Sequence, residues 1–360
     1  FIYSRLTDLH GDIPYSEAGQ GYTNGILKPK YDAQKDIYMD FLKELEEAVA
    51  QIGASTTMGN GDLIFQGNTT KWKAWGNSLM LRFAMRLSKV DAVTSKAWAE
   101  KAVSAGTMTS NDHIAMIAHT DGPQGINKNG HGEVFDADGN PRMSKTFVDW
   151  LKDDPRLPIL AARRSDGSTA IADLIGMPNG STNVTVPDNS IYAEPNRNVI
   201  TKRDVPMVLQ TYAEVRLMKA EMAQRGWTVA GDAKTHYEAG VKAAMQMLSM
   251  IYPNASAISD AEVTAYHAAK PYDAAKGLQM IGEQYWAATL LNEYEAFSNW
   301  RRTGFPVLTP VNDPGNVTGG TIPRRLIYPT GEEATNGTNF AEAIARQGAN
   351  NFTTRVWWDN

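Results

Sequence analysis

The sequence predicts a mainly α-helical fold, in which paired helices form a scaffold packed against an irregular, loop-rich part. Three observations predict it. Apolar residues recur at helical spacing over segments 36–52, 71–89, 95–106, 211–226, 232–248, 259–270 and 274–300. Short connections join these segments into pairs near 35–105 and 206–300. Between the two groups lies a long Asn-, Gly-, Asp- and Pro-rich insertion, 107–205, and a second loop-rich part follows at 304–360. The whole is read as one domain, 1–360.

The elements can be justified in order. In "DIYMDFLKELEEAVAQI", Ile37, Phe41, Leu45, Ala48 and Ile52 make one apolar stripe with acids opposite. In "KWKAWGNSLMLRFAMRLSKV", Trp72, Trp75, Leu79, Phe83 and Leu87 form one ridge while Leu81, Ala84 and Met85 cover another side. A helix that is apolar on several faces is packed on several sides, so both tryptophans read as core and not as an exposed platform for a ligand. Arg82 and Arg86, one turn apart, are then expected to pair with scaffold acids such as Asp62 or Glu47. "SKAWAEKAVSAG" follows and stops at a glycine. The pattern recurs in 211–226 and 232–248: the separation from Ala84 to Trp98 equals that from Ala223 to Tyr237. Such pairs, with small residues at their contacts, resemble tetratricopeptide units, whose period is about 34 residues. Segment 274–300 reads as one long helix behind the shorter 259–270. In "NWRRTGFP", Trp300 is expected to pack and Arg301 or Arg302 to cap carbonyls where the helix stops near Gly304.

A chain of 360 residues with 42% hydrophobic and 21% charged residues is ample for a large globular core. Its net charge of −5, without a dense Lys/Arg run, argues against nucleic acid as partner. No stretch approaches the roughly 18 apolar residues of a membrane-spanning helix. The absence of cysteine excludes disulfides, thiolate zinc sites and a cysteine nucleophile within this segment. The opening "FIYSRLTDLHGDIPYSEAG" has no Met and no polar leader, and reads as the interior of a longer protein with any targeting signal upstream.

Catalytic signatures are missing: no G-x-S-x-G, P-loop, H-E-x-x-H or strand-borne G-x-G-x-x-G. His113, His119 and His131 fall in the long loop with no metal-ligand spacing and read as loop histidines. "DADGN" (136–140) alternates Asp136, Asp138 and Asn140 like a calcium-loop fragment, but lacks a distal Glu and reads as a turn. Asp153–Asp154 reads as a helix end, and Glu293 and Glu295 as facing different sides of a helix. A glycoside hydrolase, needing two carboxyls about 5 to 9 Å apart across a cleft, is the enzymatic alternative. Seven N-x-S/T sequons, among them Asn68, Asn183 and Asn336, read as incidental in so Asn-rich a chain. A binding site on the loops needs an aromatic face and a polar rim held at the surface. Tyr192 in "DNSIYAEPNRN" supplies the first, with Asp188, Asn189, Asn196 and Arg197 around it. Asn127, Asn129 and His131 form a second polar cluster.

Ordered landmarks span nearly the whole chain: "LTDLHGDIPYSEA", "KPKYDAQKDIYMDFLKELEEA", "DLIFQGNTTKWKAWGNSLMLRFAMRLS", "MSKTFVDWLKDDPRLPIL", "VLQTYAEVRLMKAEMAQRGW", "FSNWRRTGFPVL", "IPRRLIYPTGE" and a final "VWWD". In this order they resemble the SusD/RagB family of Bacteroidetes. The resemblance implies four tetratricopeptide-like pairs and capture of oligosaccharides, or in some members peptides. It further implies no catalysis and no cofactor, and delivery of the ligand to a SusC-like TonB-dependent outer-membrane transporter. The family's leader, with its lipidated cysteine, would lie upstream of Phe1 and anchor the protein at the outer surface. The 107–200 loops match only at their flanks, so ligand identity does not carry over. A cytoplasmic tetratricopeptide adaptor is a further alternative.

Overall fold

The computed structural model describes residues 1–53, 61–122, 127–182, 185–311 and 313–360. Asn183 lies outside them. The chain begins with helices α1 (Ile2–His10), α2 (Gly21–Asn24), α3 (Gln34–Gln51), α4 (Thr69–Arg86) and α5 (Ala92–Ser104). The insertion carries strand β1 (Ala115–Ile117), helices α6 (Gly130–Ala137), α7 (Lys145–Trp150) and α8 (Leu157–Leu160), then strands β2 (Ala161–Arg163) and β3 (Ala193–Pro195). Strand β4 (Met207–Gln210) leads into α9 (Tyr212–Gln224), α10 (Ala233–Ile251), α11 (Asp260–Ala269), α12 (Gly277–Ala288) and α13 (Glu293–Thr303). Helices α14 (Glu332–Thr335) and α15 (Gly337–Gln347) follow.

Packing follows the predicted faces. Helix α4 lies against both α3 and α5, α9 against α10 and α12, and α4 meets α9 to join the two groups. Small polar residues knit the pairs where helices approach. The Ser95 hydroxyl donates to the Ala84 carbonyl (2.7 Å), and Asn77 donates to the carbonyls of Ala105 (3.0 Å) and Gly106 (2.9 Å), satisfying the free end of α5. Gly240 has a packing reason. A Cβ there would stand 2.9 Å from Leu217, so α9 and α10 touch backbone to side chain. Helix α9 opens with a capping box between Thr211 and Glu214.

Trp75 is buried at 7% exposure, and Trp72 packs beside it with ring centroids 5.2 Å apart. The Trp72 indole N–H donates to Asp62 (2.7 Å). Both tryptophans are therefore scaffold. The pairing expected for the α4 arginines is corrected. Asp62 is taken by Trp72 and by the amides of Ile64, Phe65 and Gly67, and Glu47 faces Lys43 on the surface. Arg82 instead reaches Glu214 (2.6 Å) and Arg86 reaches Glu295 (2.6 Å), with Asp8 at 3.6 Å. These are buried acids from α9, α13 and α1, brought there by tertiary packing.

One boundary also differs from the sequence reading. Segment 274–300 is two helices. The Thr289 hydroxyl donates back to the Tyr285 carbonyl (2.8 Å), and Leu291 takes a left-handed conformation (φ 63°). The redirected chain then carries Glu295 inward while Glu293 faces solvent. At the end of α13, Gly304 (φ 77°) closes the helix as predicted, its N–H donating to Trp300 at 2.7 Å. Arg302 turns into the core to grip Glu221, and Arg301 donates to the Arg324 carbonyl (2.8 Å). Trp300 packs, its ring stacked on Phe297 and covered by Arg324 at 4.8 Å.

Two-stranded antiparallel ladders fasten the insertion: β1 with β4, through a register shift at Ala115/Met116, and β2 with β3. The carboxylate of Asp154, just past α7, chelates Arg156 (2.9 and 2.7 Å). At the far end, Tyr31, Tyr328 and Ala343 form a small apolar cluster that clamps α15 to the segment before α3.

Candidate ligand-binding site

Helix α6 organises the predicted site residues. Its N-cap is Asn129, whose side-chain oxygen accepts from the His131 amide (2.8 Å) and whose NH2 donates to the Val205 carbonyl (3.0 Å). Asn129 is buried, so it holds the helix in place. Asn127 is exposed one step earlier, and its carbonyl accepts from the Thr120 amide (2.9 Å) and lies 3.1 Å from His119 Nδ1. His131 Nε2 lies 3.3 Å from Glu293 at the start of α13. This contact joins the insertion to the scaffold.

The second cluster lies at the other end of α6. Eight residues of helix separate the two by about 12 Å. Tyr192 is half-buried just before β3, and among the described residues its hydroxyl has no partner. Asn189 is engaged through its carbonyl and side-chain oxygens by Arg142 (2.8 and 2.9 Å). Asn196 is buried, and its side chain accepts from the Asn198 amide (3.1 Å), shaping the turn after β3. The Asp188 carboxylate accepts from the Ser190 amide (2.8 Å). Arg197 reaches Glu194 (3.0 Å) and the Asp138 carbonyl (3.1 Å), and covers Phe135 of α6 at 6.0 Å.

Glu194 is the hub that the sequence reading missed. Arg197, Arg164 (3.3 Å) and Arg142 (3.9 Å) all converge on this one buried carboxylate. Burial pushes the Arg142 guanidinium below its ordinary range, and the like charges of Arg164 and Arg197 add to that against Glu194. The patch beside Tyr192 thus gathers three guanidinium groups around Glu194, with the carboxylates of Asp138 and Asp188 close by. Tyr294, partly exposed next to Glu293 and covered by Arg5 at 4.9 Å, is a further aromatic near His131. No local sequence signal marks these partners, because Arg142 and Asn189 are 47 residues apart.

The "DADGN" segment is the last turn of α6 followed by a bend, and only its second half turns: Asp136, still helical, pairs with Arg203 (2.6 Å), and Asp138 accepts from the Asn140 amide (2.9 Å). Among the described residues, no group of three or more His, Asp or Glu is placed to hold a metal ion. The enclosed cavity lined by Asn129, His131, Thr211 and Glu214 has a free volume of about 40 Å³, room for about one water.

Whole-chain comparisons agree with this architecture. A family model described as SusD-like, starch-binding and associating with the outer membrane, matches residues 1–329. Among solved structures, a chitin-binding protein is 36% identical with a TM-score of 0.89, over 99% of this chain and 78% of that one. A SusD-like protein of the Bacteroidetes is 30% identical with a TM-score of 0.85, over 100% of this chain and 81% of that one. A chitin-binding SusD homologue from Flavobacterium johnsoniae is 28% identical with a TM-score of 0.82, over 99% and 78%. No curated protein matches the chain significantly. With a family model covering most of its length, and helix pairs arranged as in these structures, the chain belongs to the SusD-like family.

Proposed function

We propose that this chain is a non-catalytic surface protein that captures oligosaccharides and passes them to a TonB-dependent outer-membrane transporter, over which it acts as a lid. The observation that carries the reading is the 36% identity to a chitin-binding protein across 99% of the chain. Chito-oligosaccharides are accordingly the first ligand class. The face around α6 supports it: Tyr192 offers an aromatic surface, and Arg164 and Arg197 offer donors suited to sugar hydroxyls and acetamide carbonyls. Asn127 and His131 extend the polar rim, while Asn129, Asn189 and Asn196 hold the loops that present it. In this reading residues 1–360 are one domain: helix pairs at 35–105 and 206–300 support, and the loop-rich parts at 107–205 and 304–360 bind. No helix among the described residues is long and apolar enough to cross a membrane, and the anchor in this reading is a lipid upstream.

Calorimetry with chitotriose, maltotriose and a peptide mixture tests it. Binding of a saccharide is the expected result. Binding of peptides alone overturns the sugar reading in favour of a peptide-capturing relative. Release of products from chitin, abolished by a single carboxylate substitution, overturns the non-catalytic one. Recovery from outer membranes with a β-barrel partner is expected if the lid role holds.

A further inference from the structure

A recess of about 150 Å³ opens where the start of α3, the end of α15 and the C-terminal segment meet, on elements other than those that carry Tyr192. It is lined by Trp357 and by three cations, Lys35, Arg346 and Arg355. Trp357 is half-buried, so part of its indole remains available. The acidic side chain in the lining, Asp12, is engaged through both oxygens: one accepts from the Gln34 amide (2.9 Å), the other from Arg346 Nε (2.8 Å). Arg346 also donates through one terminal nitrogen to the Tyr31 carbonyl (2.8 Å), which fixes the guanidinium and leaves the other terminal nitrogen without a partner among the described residues. Arg355 spends one nitrogen on Asp359 (3.0 Å) and keeps two for the recess. Asp359 is fully buried and is already held by Lys89 (3.1 Å) and Arg324 (2.7 Å). Lys35 has no ion-pair partner among the described residues; the half-buried Asp91 carboxyl, held low first by the hydrogen bonds of Thr94, also feels its charge.

The result is a concentration of fixed positive charge on a chain whose net charge is −5. Two of its donors, Arg346 and Arg355, are held in place by buried carboxylates, and all three line the recess with an indole. An indole face suits the apolar side of a pyranose, and guanidinium groups suit a carboxylate. We infer that this recess is a second saccharide subsite, selective for a carboxylated sugar (a uronate), with Trp357 under the ring and Lys35, Arg346 and Arg355 on the carboxylate. The inference rests on the saccharide-binding reading for the sugar part of the ligand. The charge selectivity comes from the recess alone.

The test uses the whole chain, with tri-galacturonate as the probe and chitotriose as the neutral control, in low salt. The Lys35→Gln/Arg355→Gln double variant removes two exposed cations and leaves Asp359 its pairing with Lys89 and Arg324, so the fold persists; circular dichroism melting verifies this. Tri-galacturonate is expected to bind the unaltered chain and to lose about tenfold or more in affinity in the double variant, while chitotriose is unaffected. The uronate subsite is overturned if tri-galacturonate does not bind, or if the double variant binds it as well as the parent. It is equally overturned if acetate at the same carboxylate concentration competes fully, which marks a bare anion patch. Chitotriose failing while tri-galacturonate binds refutes the Tyr192 site and leaves this one standing.

Discussion

Tyr192 is the aromatic of the proposed saccharide site. Its backbone is tied down on both sides, the N–H to Asn189 (3.3 Å) and the carbonyl to Arg164 (3.1 Å), so the ring is presented by a fixed chain. Tyr192→Ala is expected to weaken chitotriose binding about tenfold and Tyr192→Phe much less, as read by calorimetry. Trp75 lies on the other side of the divide. Its replacement by alanine removes a buried indole from the α4 core, and urea unfolding should show a loss of about 3 to 5 kcal/mol. Glu221 supplies the pH-dependent case. Burial alone would raise its carboxyl, but the charge and hydrogen bonds of Arg302 outweigh that and hold it at about 2, against an ordinary 4.5. A depressed carboxyl stabilises the fold in full above its ordinary value, and the contribution fades as pH falls from about 5 to about 2. Glu221→Gln should therefore be less stable at neutral pH yet lose less stability across that acid interval, a difference that urea midpoints at several pH values resolve.

Helices here are set by local rules and then trimmed by their neighbours. The capping box at Thr211 satisfies two amides at the start of α9, immediately after β4 ties the insertion down. Thr211→Ala should cost about 1 kcal/mol in chemical unfolding. The α9–α10 contact is less forgiving. Gly240→Val places branched atoms where a single Cβ would already meet Leu217, and overpacking of this kind costs about 1 to 3 kcal/mol. The break between α12 and α13 could not be read locally, since 274–300 keeps helical periodicity throughout. What marks the break is Leu291, whose left-handed backbone (φ 63°) turns the chain before α13 begins. What makes the break useful is Glu295, drawn inward to Arg86. Helix α15 went unread because only Ala343 of it is fully buried, so its face is completed by Tyr31 and Tyr328 from elsewhere in the chain.

Over the whole molecule, one buried polar network links α1, α4, α9, α12 and α13. Arg82 and Arg86 bind Glu214, Glu295 and Asp8, and the Tyr285 hydroxyl lies 3.0 Å from Glu214 and 2.9 Å from Glu295. Buried ion pairs contribute little net stability when intact, but breaking one strands its partner. Arg86→Met leaves Glu295 and Asp8 under-paired, and a loss of about 3 to 5 kcal/mol in unfolding free energy is expected. This network keeps the two helical groups in register, and with them the insertion that both groups support.

Legible from the sequence alone were the helices within 36–106 and 211–248, their pairing, the inward placement of Trp72 and Trp75, and the stop at Gly304. Each of these follows from periodicity and backbone chemistry within a few residues. Only the tertiary structure decided which acids meet Arg82 and Arg86, and that Asn129 and Asn196 are buried hydrogen-bonding posts while Asn127 stays in solvent. It alone gathered three arginines around Glu194 and three cations around Trp357. Ion pairs and hydrogen bonds between loops join residues far apart in the chain, and identical side chains take opposite roles according to what the fold brings against them.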